Sequence, residues 1–315
     1  MLFGKYAFSC TLENDAILPE YKGSTFRGIF GHALKQIVCA LKRQECDECI
    51  LGQSCLYTSV IEPKSWPVKE GKKSKTVAPP HPYVIEPDPD VRTKYSQGES
   101  FGFNLILFGK VNESLPYFIY AFDQVGRRGI GRKVEGKRAC FSLDCVETNG
   151  MACYEKDERK IHNPSNPQKL CLSDFKKEID HNIHQVSISI LTPLRIKHEN
   201  HLEASLPFHV LTRAMLRRVS SLLAYYGDGE PNLDYRGLTK RAMIVDTVQS
   251  NLGWFDWRRY SNRQDQSMLM GGIVGKVTYA GDLKEFLPLI RFCEMTHLGK
   301  QTTFGLGKIS MEIVP

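Results

Sequence analysis

In the second half of this chain of 315 residues the hydrophobic period switches in a fixed order, and that order leaves few folds open. Val186-Ser-Ile-Ser-Ile-Leu-Thr-Pro-Leu-Arg-Ile196 alternates with the period of a strand. Residues 207–226 then repeat at helical spacing, which puts Leu211, Met215, Val219, Leu222 and Tyr226 on one side. Two strand patterns follow near 252–262 and 268–280, then a helical one at about 282–297 and a last strand at 306–314.

Strand, helix, two strands, helix, strand is the ferredoxin-like order. The first half follows it more loosely. A strand at 3–11 precedes an amphipathic helix at 24–43, with Ser24 as its expected N-cap and Phe26, Ile29, Phe30, Ala33, Leu34, Ile37 and Leu41 on one stripe. A strand at about 99–112, a helix at 113–126 and a strand at 136–148 complete it, with the second strand in 56–62 or 81–87. Between them, residues 63–89 hold seven prolines and the basic run Lys72-Lys-Ser-Lys75, an extended connection. The predicted fold class is α+β, two tandem ferredoxin-like (RRM-like) βαββαβ domains over 1–183 and 184–315. The boundary lies in or just after the polar stretch 154–182.

Composition excludes some classes. No run approaches the roughly 18 apolar residues of a membrane span, and the first residues lack a signal peptide's apolar run. The expectation is a cytoplasmic protein with reduced cysteines and no membrane partner. A net charge of +7 permits a polyanionic partner without requiring one.

Two glycine-rich basic segments point to that partner. In Gly299-Lys-Gln-Thr-Thr-Phe-Gly-Leu-Gly-Lys308, glycines allow positive φ and close backbone approach, so amide N–H groups can face a phosphate. Lys300 and Lys308 add charge, Thr302 and Thr303 add hydroxyls, and Phe304 offers a stacking face. The second segment carries Arg127, Arg128, Arg132, Lys133, Lys137 and Arg138 among Gly126, Gly129, Gly131 and Gly136. Arg213, Arg217 and Arg218 on the second domain's helix extend the basic surface. The plain alternatives are a tight turn and a solvated loop.

Cys39, Cys46, Cys49 and Cys55 are spaced C-x6-C-x2-C-x5-C, a pattern suited to a closed, structural four-thiolate zinc site in a small insertion at 39–55. An iron–sulfur cluster would use the same ligands. Scattered reduced cysteines are the other reading.

The closing Gly-Lys-x-Thr-Thr-Phe-Gly-Leu-Gly-Lys segment resembles the signature of the CRISPR-associated RAMP superfamily. Within it the chain is most similar to the sixth Cas protein family, endoribonucleases that cut precursor CRISPR RNA. Tyr21-Lys-Gly-Ser-Thr-Phe-Arg-Gly-Ile-Phe-Gly-His-Ala-Leu34 resembles that family's N-terminal helix, Pro79-Pro-His-Pro-Tyr-Val-Ile-Glu-Pro87 its central extended segment, and Gly126-Arg-Arg-Gly-Ile-Gly-Arg-Lys133 the basic stretch closing its first domain.

The resemblance implies a bound CRISPR repeat hairpin and metal-independent cleavage to a 2′,3′-cyclic phosphate and a 5′-hydroxyl. Other Cas proteins of an effector complex are further expected partners. Such chemistry needs groups to move protons to and from the ribose and leaving oxygen, and a cation for the phosphorane. His32, on the polar face of the first helix, is the first candidate, as the resemblance also implies, with Lys35 and Tyr21 assisting and Lys22 and Arg27 contacting RNA. His297 is the second candidate; His198, His201 and His209 look structural or RNA-facing. The rival readings are a non-catalytic RAMP subunit holding guide RNA and, more distantly, a zinc-dependent DNA-binding protein.

Overall fold

The computed structural model describes residues 1–42, 44–64, 78–158, 160–162, 167–176, 183–196, 204–261 and 266–314, and for 257–261 and 266–270 the backbone alone. The Lys72–Lys75 run, His198 and His201 lie outside these residues. The chain divides into two compact units, Leu2–Lys169 and Leu170–Pro315, the second joined by Met1.

In the first unit β1 (Leu2–Leu12) leads to α1 (Gly23–Val38) and the short α2 (Leu56–Ile61). Then come β2 (Tyr83–Pro87), β3 (Ser100–Phe108) and α3 (Leu115–Arg128). A hairpin of β4 (Ile130–Val134) and β5 (Lys137–Ala139) precedes β6 (Phe141–Thr148) and β7 (Met151–Glu155). The central strands pair antiparallel in the order β6-β1-β3-β2. Fourth, first, third, second is the ferredoxin-like arrangement, extended at one edge by β7 and Lys160–Ile161.

The inward phenylalanines of β1, β3, α1 and α3 make one aromatic core. Phe8 stacks on Phe103 with centroids 4.8 Å apart, Phe30 on Phe122 at 5.1 Å, and Phe103 tilts against Phe122 at 4.6 Å. Burial of such large rings supplies most of the driving force for holding both helices on one sheet face.

The second unit repeats the pattern. Its elements are β8 (Gln185–Leu194), α4 (Phe208–Tyr226), α5 (Tyr235–Arg241), β9 (Asp246–Ser261), β10 (Gln266–Ala280), α6 (Leu287–Thr296) and β11 (Ile309–Ile313). The strand order is β9-β10-β8-β11, again antiparallel throughout. Phe208 meets Phe286 edge-on at 5.0 Å and Tyr279 at 4.9 Å, while the Tyr279 hydroxyl donates to the Leu206 carbonyl at 2.6 Å.

Several expectations shift. The second strand of the first unit lies at 83–87, and 56–61 is helical. The first helix ends at Val38 rather than 43, because Cys39 turns extended, and its N-cap is Lys22 rather than Ser24. The second unit begins at Leu170 instead of 184, since Asp174–Lys176 packs on α6. The additional α5 starts at Asp234, whose carboxylate accepts from the Gly237 amide at 2.9 Å.

Candidate functional site

Helix α1 sends Phe26, Phe30, Ala33 and Leu34 into the core and leaves Gly28, His32 and Gln36 exposed along the opposite stripe. Lys35, half-buried, borders that stripe one turn after His32, the spacing at which two helical side chains are neighbours. Gly28 lies one turn before His32, and a Cβ added there would meet nothing within 4 Å. The helix backbone beside His32 is therefore bare, which gives a ribose or phosphate room to approach.

Lys35 has partners of its own. Its ammonium lies 5.3 Å from the centre of the Tyr57 ring. Burial pulls its pKa down, but a hydrogen bond to Cys46 and the charges of Cys46, Tyr57 and Glu62 outweigh that and leave it raised. It remains a cation at neutral pH.

Three other residues expected on this surface turn inward. Lys22 is buried; its ammonium donates to the carbonyls of Asp90 and of Arg92, the latter at 2.9 Å, and packs over the Tyr95 ring. It ties the start of α1 to the 90–95 loop and is no RNA contact. Arg27 faces Tyr83 on β2. Tyr21 sits against buried Glu86, whose charge adds to burial in pushing its hydroxyl pKa up. It is a neutral donor, and it precedes a helix in which nine residues of rise, about 14 Å, separate Gly23 from His32. Tyr21 does not join the other two.

The basic segment after α3 is open. Arg127, Arg128, Arg132, Lys133, Lys137 and Arg138 are all exposed, and Arg127 pairs with Asp123 at 3.1 Å. Its glycines, expected to meet phosphate, mostly serve the fold. A Cβ at Gly126 would sit 2.2 Å from the Phe141 carbonyl oxygen, and one at Gly131 2.4 Å from that of Ile17. Gly136, with Glu135 at the tip, has open space and positive φ, as a tight two-residue hairpin turn requires.

The closing loop is the reverse. Thr302, Thr303 and Phe304 are buried, so the ring is no free stacking face. Amides expected to face a phosphate are already used: Lys300 N–H donates to the Arg195 carbonyl at 3.0 Å, Gly307 N–H to Pro193 at 3.1 Å, and Lys308 N–H to Thr192 Oγ1 at 2.9 Å. The Thr192 hydroxyl in turn donates to the Gly305 carbonyl at 2.8 Å. Gly299 and Gly307 permit tight crossings, since Cβ atoms there would lie 2.8 Å from Arg195 O and 1.7 Å from Leu298 O. Lys300 is the loop's exposed cation, and Lys308 is half-buried.

His297, the second candidate base, is wholly buried, with Nδ1 3.1 Å from the Leu306 carbonyl oxygen. His209 is half-buried at the start of α4. Arg213 and Arg217 are exposed on α4, while the buried Arg218 donates to the carbonyls of Thr296 at 2.6 Å and His297 at 3.1 Å. Burial lowers the Arg218 pKa to about 10.

The four cysteines are not gathered. Among the described residues no three His, Cys, Asp or Glu side chains lie close enough to share an ion. Cys39 caps α1 in an extended conformation, Cys46 interacts with Lys35, and Cys55 opens α2. As placed they do not form a zinc site.

Known proteins give the arrangement a setting. Residues 188–309 match the family model for the CRISPR-associated endoribonuclease Cas6, and residues 1–166 match the AF_1859 N-terminal domain family. An uncharacterized protein of Archaeoglobus fulgidus is 25% identical over 296 residues, 92% of this chain and 91% of its own. Among solved structures, a chain of a partial Cas6-RT-Cas1–Cas2 complex superposes with a TM-score of 0.63 at 13% identity, over 99% of this chain and 46% of that one. The present chain thus spans less than half of that polypeptide. A Cas6 product complex superposes with a TM-score of 0.56 at 12% identity over 99% of each chain. At these identities the likeness is one of fold, and it is the tandem ferredoxin-like fold described above.

Proposed function

We propose that this chain, whose residues 188–309 match the Cas6 endoribonuclease model, cuts precursor CRISPR RNA at repeat hairpins without a catalytic metal ion. The match to the Cas6 endoribonuclease model over 188–309 carries this reading. The exposed His32, next to Lys35 and the bare Gly28, supplies the chemistry. A histidine ring nitrogen takes the proton of a ribose 2′-hydroxyl as its oxygen attacks the adjacent phosphorus. The bond from phosphorus to the 5′-oxygen breaks, and that oxygen leaves with a proton returned by the imidazolium. Lys35, held cationic, faces the charge that develops on the phosphorane. The products are a 2′,3′-cyclic phosphate and a 5′-hydroxyl.

Repeat RNA is the proposed partner, met by the cations of 127–138, Arg213, Arg217 and Lys300. The fold's occurrence in a Cas6-RT-Cas1–Cas2 assembly supports other Cas proteins as further partners.

The test is cleavage of a repeat hairpin with EDTA added at mixing. Wild type is expected to cut, and His32→Ala to bind yet cut roughly 10²- to 10⁴-fold more slowly. A wild type that cuts only with a divalent ion sinks the metal-free route. One that binds and never cuts is instead a guide-holding subunit.

We further propose that zinc, when bound, draws Cys39, Cys46, Cys49 and Cys55 together in a purely structural site. Support comes from their partial exposure and from the exposure of Ile50 and Leu51, which leaves the 39–55 segment few apolar anchors. Elemental analysis should find one equivalent of zinc, with a Cys46→Ser/Cys49→Ser variant lacking it and melting lower. A wild type that purifies without zinc and whose melting temperature does not rise when zinc is added ends the proposal.

A further inference from the structure

The outer face of α3 carries a stripe that the chemistry on α1 does not use. Phe118, Ile119, Phe122 and Val125 of this helix are buried against the sheet. On the opposite side Tyr117 and Tyr120 stand 51% and 52% exposed, one turn apart, an unusual placement for two large aromatic rings. At 100° per residue Tyr120, Gln124, Arg127 and Arg128 continue the same stripe to the helix end. The distance from Tyr117 to Arg128 along the axis is about 16 Å. Its one carboxylate, Asp123, pairs with Arg127 and leaves that side chain 65% exposed. From Arg128 the chain runs directly into the basic β4–β5 hairpin.

Exposed aromatic rings ahead of arginines, with a large excess of positive charge beyond them, match single-stranded nucleic acid. Each base has a π-face to stack on a tyrosine, and its phosphates follow the cations. A protein partner would also use tyrosine and arginine. The hairpin, however, adds four exposed cations, Arg132, Lys133, Lys137 and Arg138, against one carboxylate, Glu135, at its tip, and that excess selects a polyanion.

We propose that the α3 stripe holds a single-stranded RNA segment flanking the repeat hairpin, with bases stacked on Tyr117 and Tyr120 and phosphates led to Arg127 and Arg128. This deepens the reading of the chain as a processor of precursor CRISPR RNA and rests on it.

The experiment compares binding of a repeat hairpin alone with binding of the same hairpin carrying a single-stranded flank of about ten nucleotides on either side. It is run by fluorescence anisotropy in the His32→Ala background. The flank is expected to tighten binding, and Tyr117→Ala with Tyr120→Ala to remove that gain, at roughly tenfold per stacked base. Phenylalanine at both positions should keep the gain, because the ring and not the hydroxyl does the stacking. A flank-dependent gain that survives the double alanine change overturns the proposal and hands the stripe to a protein partner. So does the lack of any gain with both tyrosines present. Cleavage of the unflanked hairpin by wild type reads the underlying function separately, so the two failures are told apart.

Discussion

Two segments of this protein look alike in sequence and differ in structure. Residues 126–138 and 299–308 each lie at or just past the end of a helix and mix glycine with lysine or arginine. In the first, the glycines that bend the chain lie against the protein while the cations project outward. In the second, glycines, threonines and the phenylalanine are folded into the domain, and Lys300 is what reaches solvent. The difference teaches that glycine with positive charge is not by itself a phosphate cradle. An amide donates to a ligand only if no carbonyl has already taken it.

The sharpest way to break the comparison is to change the closing loop's buried members. Gly307→Ala places a Cβ 1.7 Å from Leu298 O at a φ of 73°, and is expected to cost roughly 3 kcal/mol or more in thermal or urea unfolding. Gly136→Ala, at a φ of 82° with open space, should cost only about 1 kcal/mol. Phe304→Ala should lower stability by about 3 kcal/mol as a core truncation. If its melting temperature holds while RNA affinity drops, the ring stacks on RNA after all and the two loops are alike.

The cations give a smaller, complementary contrast. Replacing Arg127, Arg128, Arg132 and Lys133 by alanine should weaken RNA binding about ten- to a hundredfold. It should also flatten the salt dependence by about 0.7 in log–log slope for each phosphate no longer neutralised. Lys300→Ala should flatten the slope by about one such step and no more. Equal slopes from the quadruple and the single variant would erase the distinction.

The fold was largely legible because the periodicity is local. β1, α1, β3, α3 and every main element of the second unit are marked by spacing alone. The repeated strand order followed from element order, since few topologies accommodate it. What stayed hidden was non-local. Lys22 looked like one more cation ahead of a helix, yet carbonyls at Asp90 and Arg92, distant in sequence, take up its charge. Arg27 and Tyr21 were drawn inward by Tyr83 and Glu86 of β2 in the same way. Tyr117 and Tyr120 sit in a helix rich in aromatic residues, and only the packing of α3 on its sheet separates the exposed rings from the buried ones. The exposure of His32 was legible from the polar face of an amphipathic helix, because burial there is decided within the helix itself.

Arg218 carries a consequence beyond its own bonds. The guanidinium reaches from α4 to the last carbonyls of α6, so the helix bearing Arg213 and Arg217 is bolted to the point from which Lys300 departs. The neighbouring pair Arg213 and Arg217 is thereby tied to the same framework as Lys300, which lies far from them in sequence. A flexible chain would have to adjust its charges to each polyanion it met. On the proposed function, the second domain would then work as a fixed gauge, accepting an RNA backbone whose phosphates already fall at the intervals it offers.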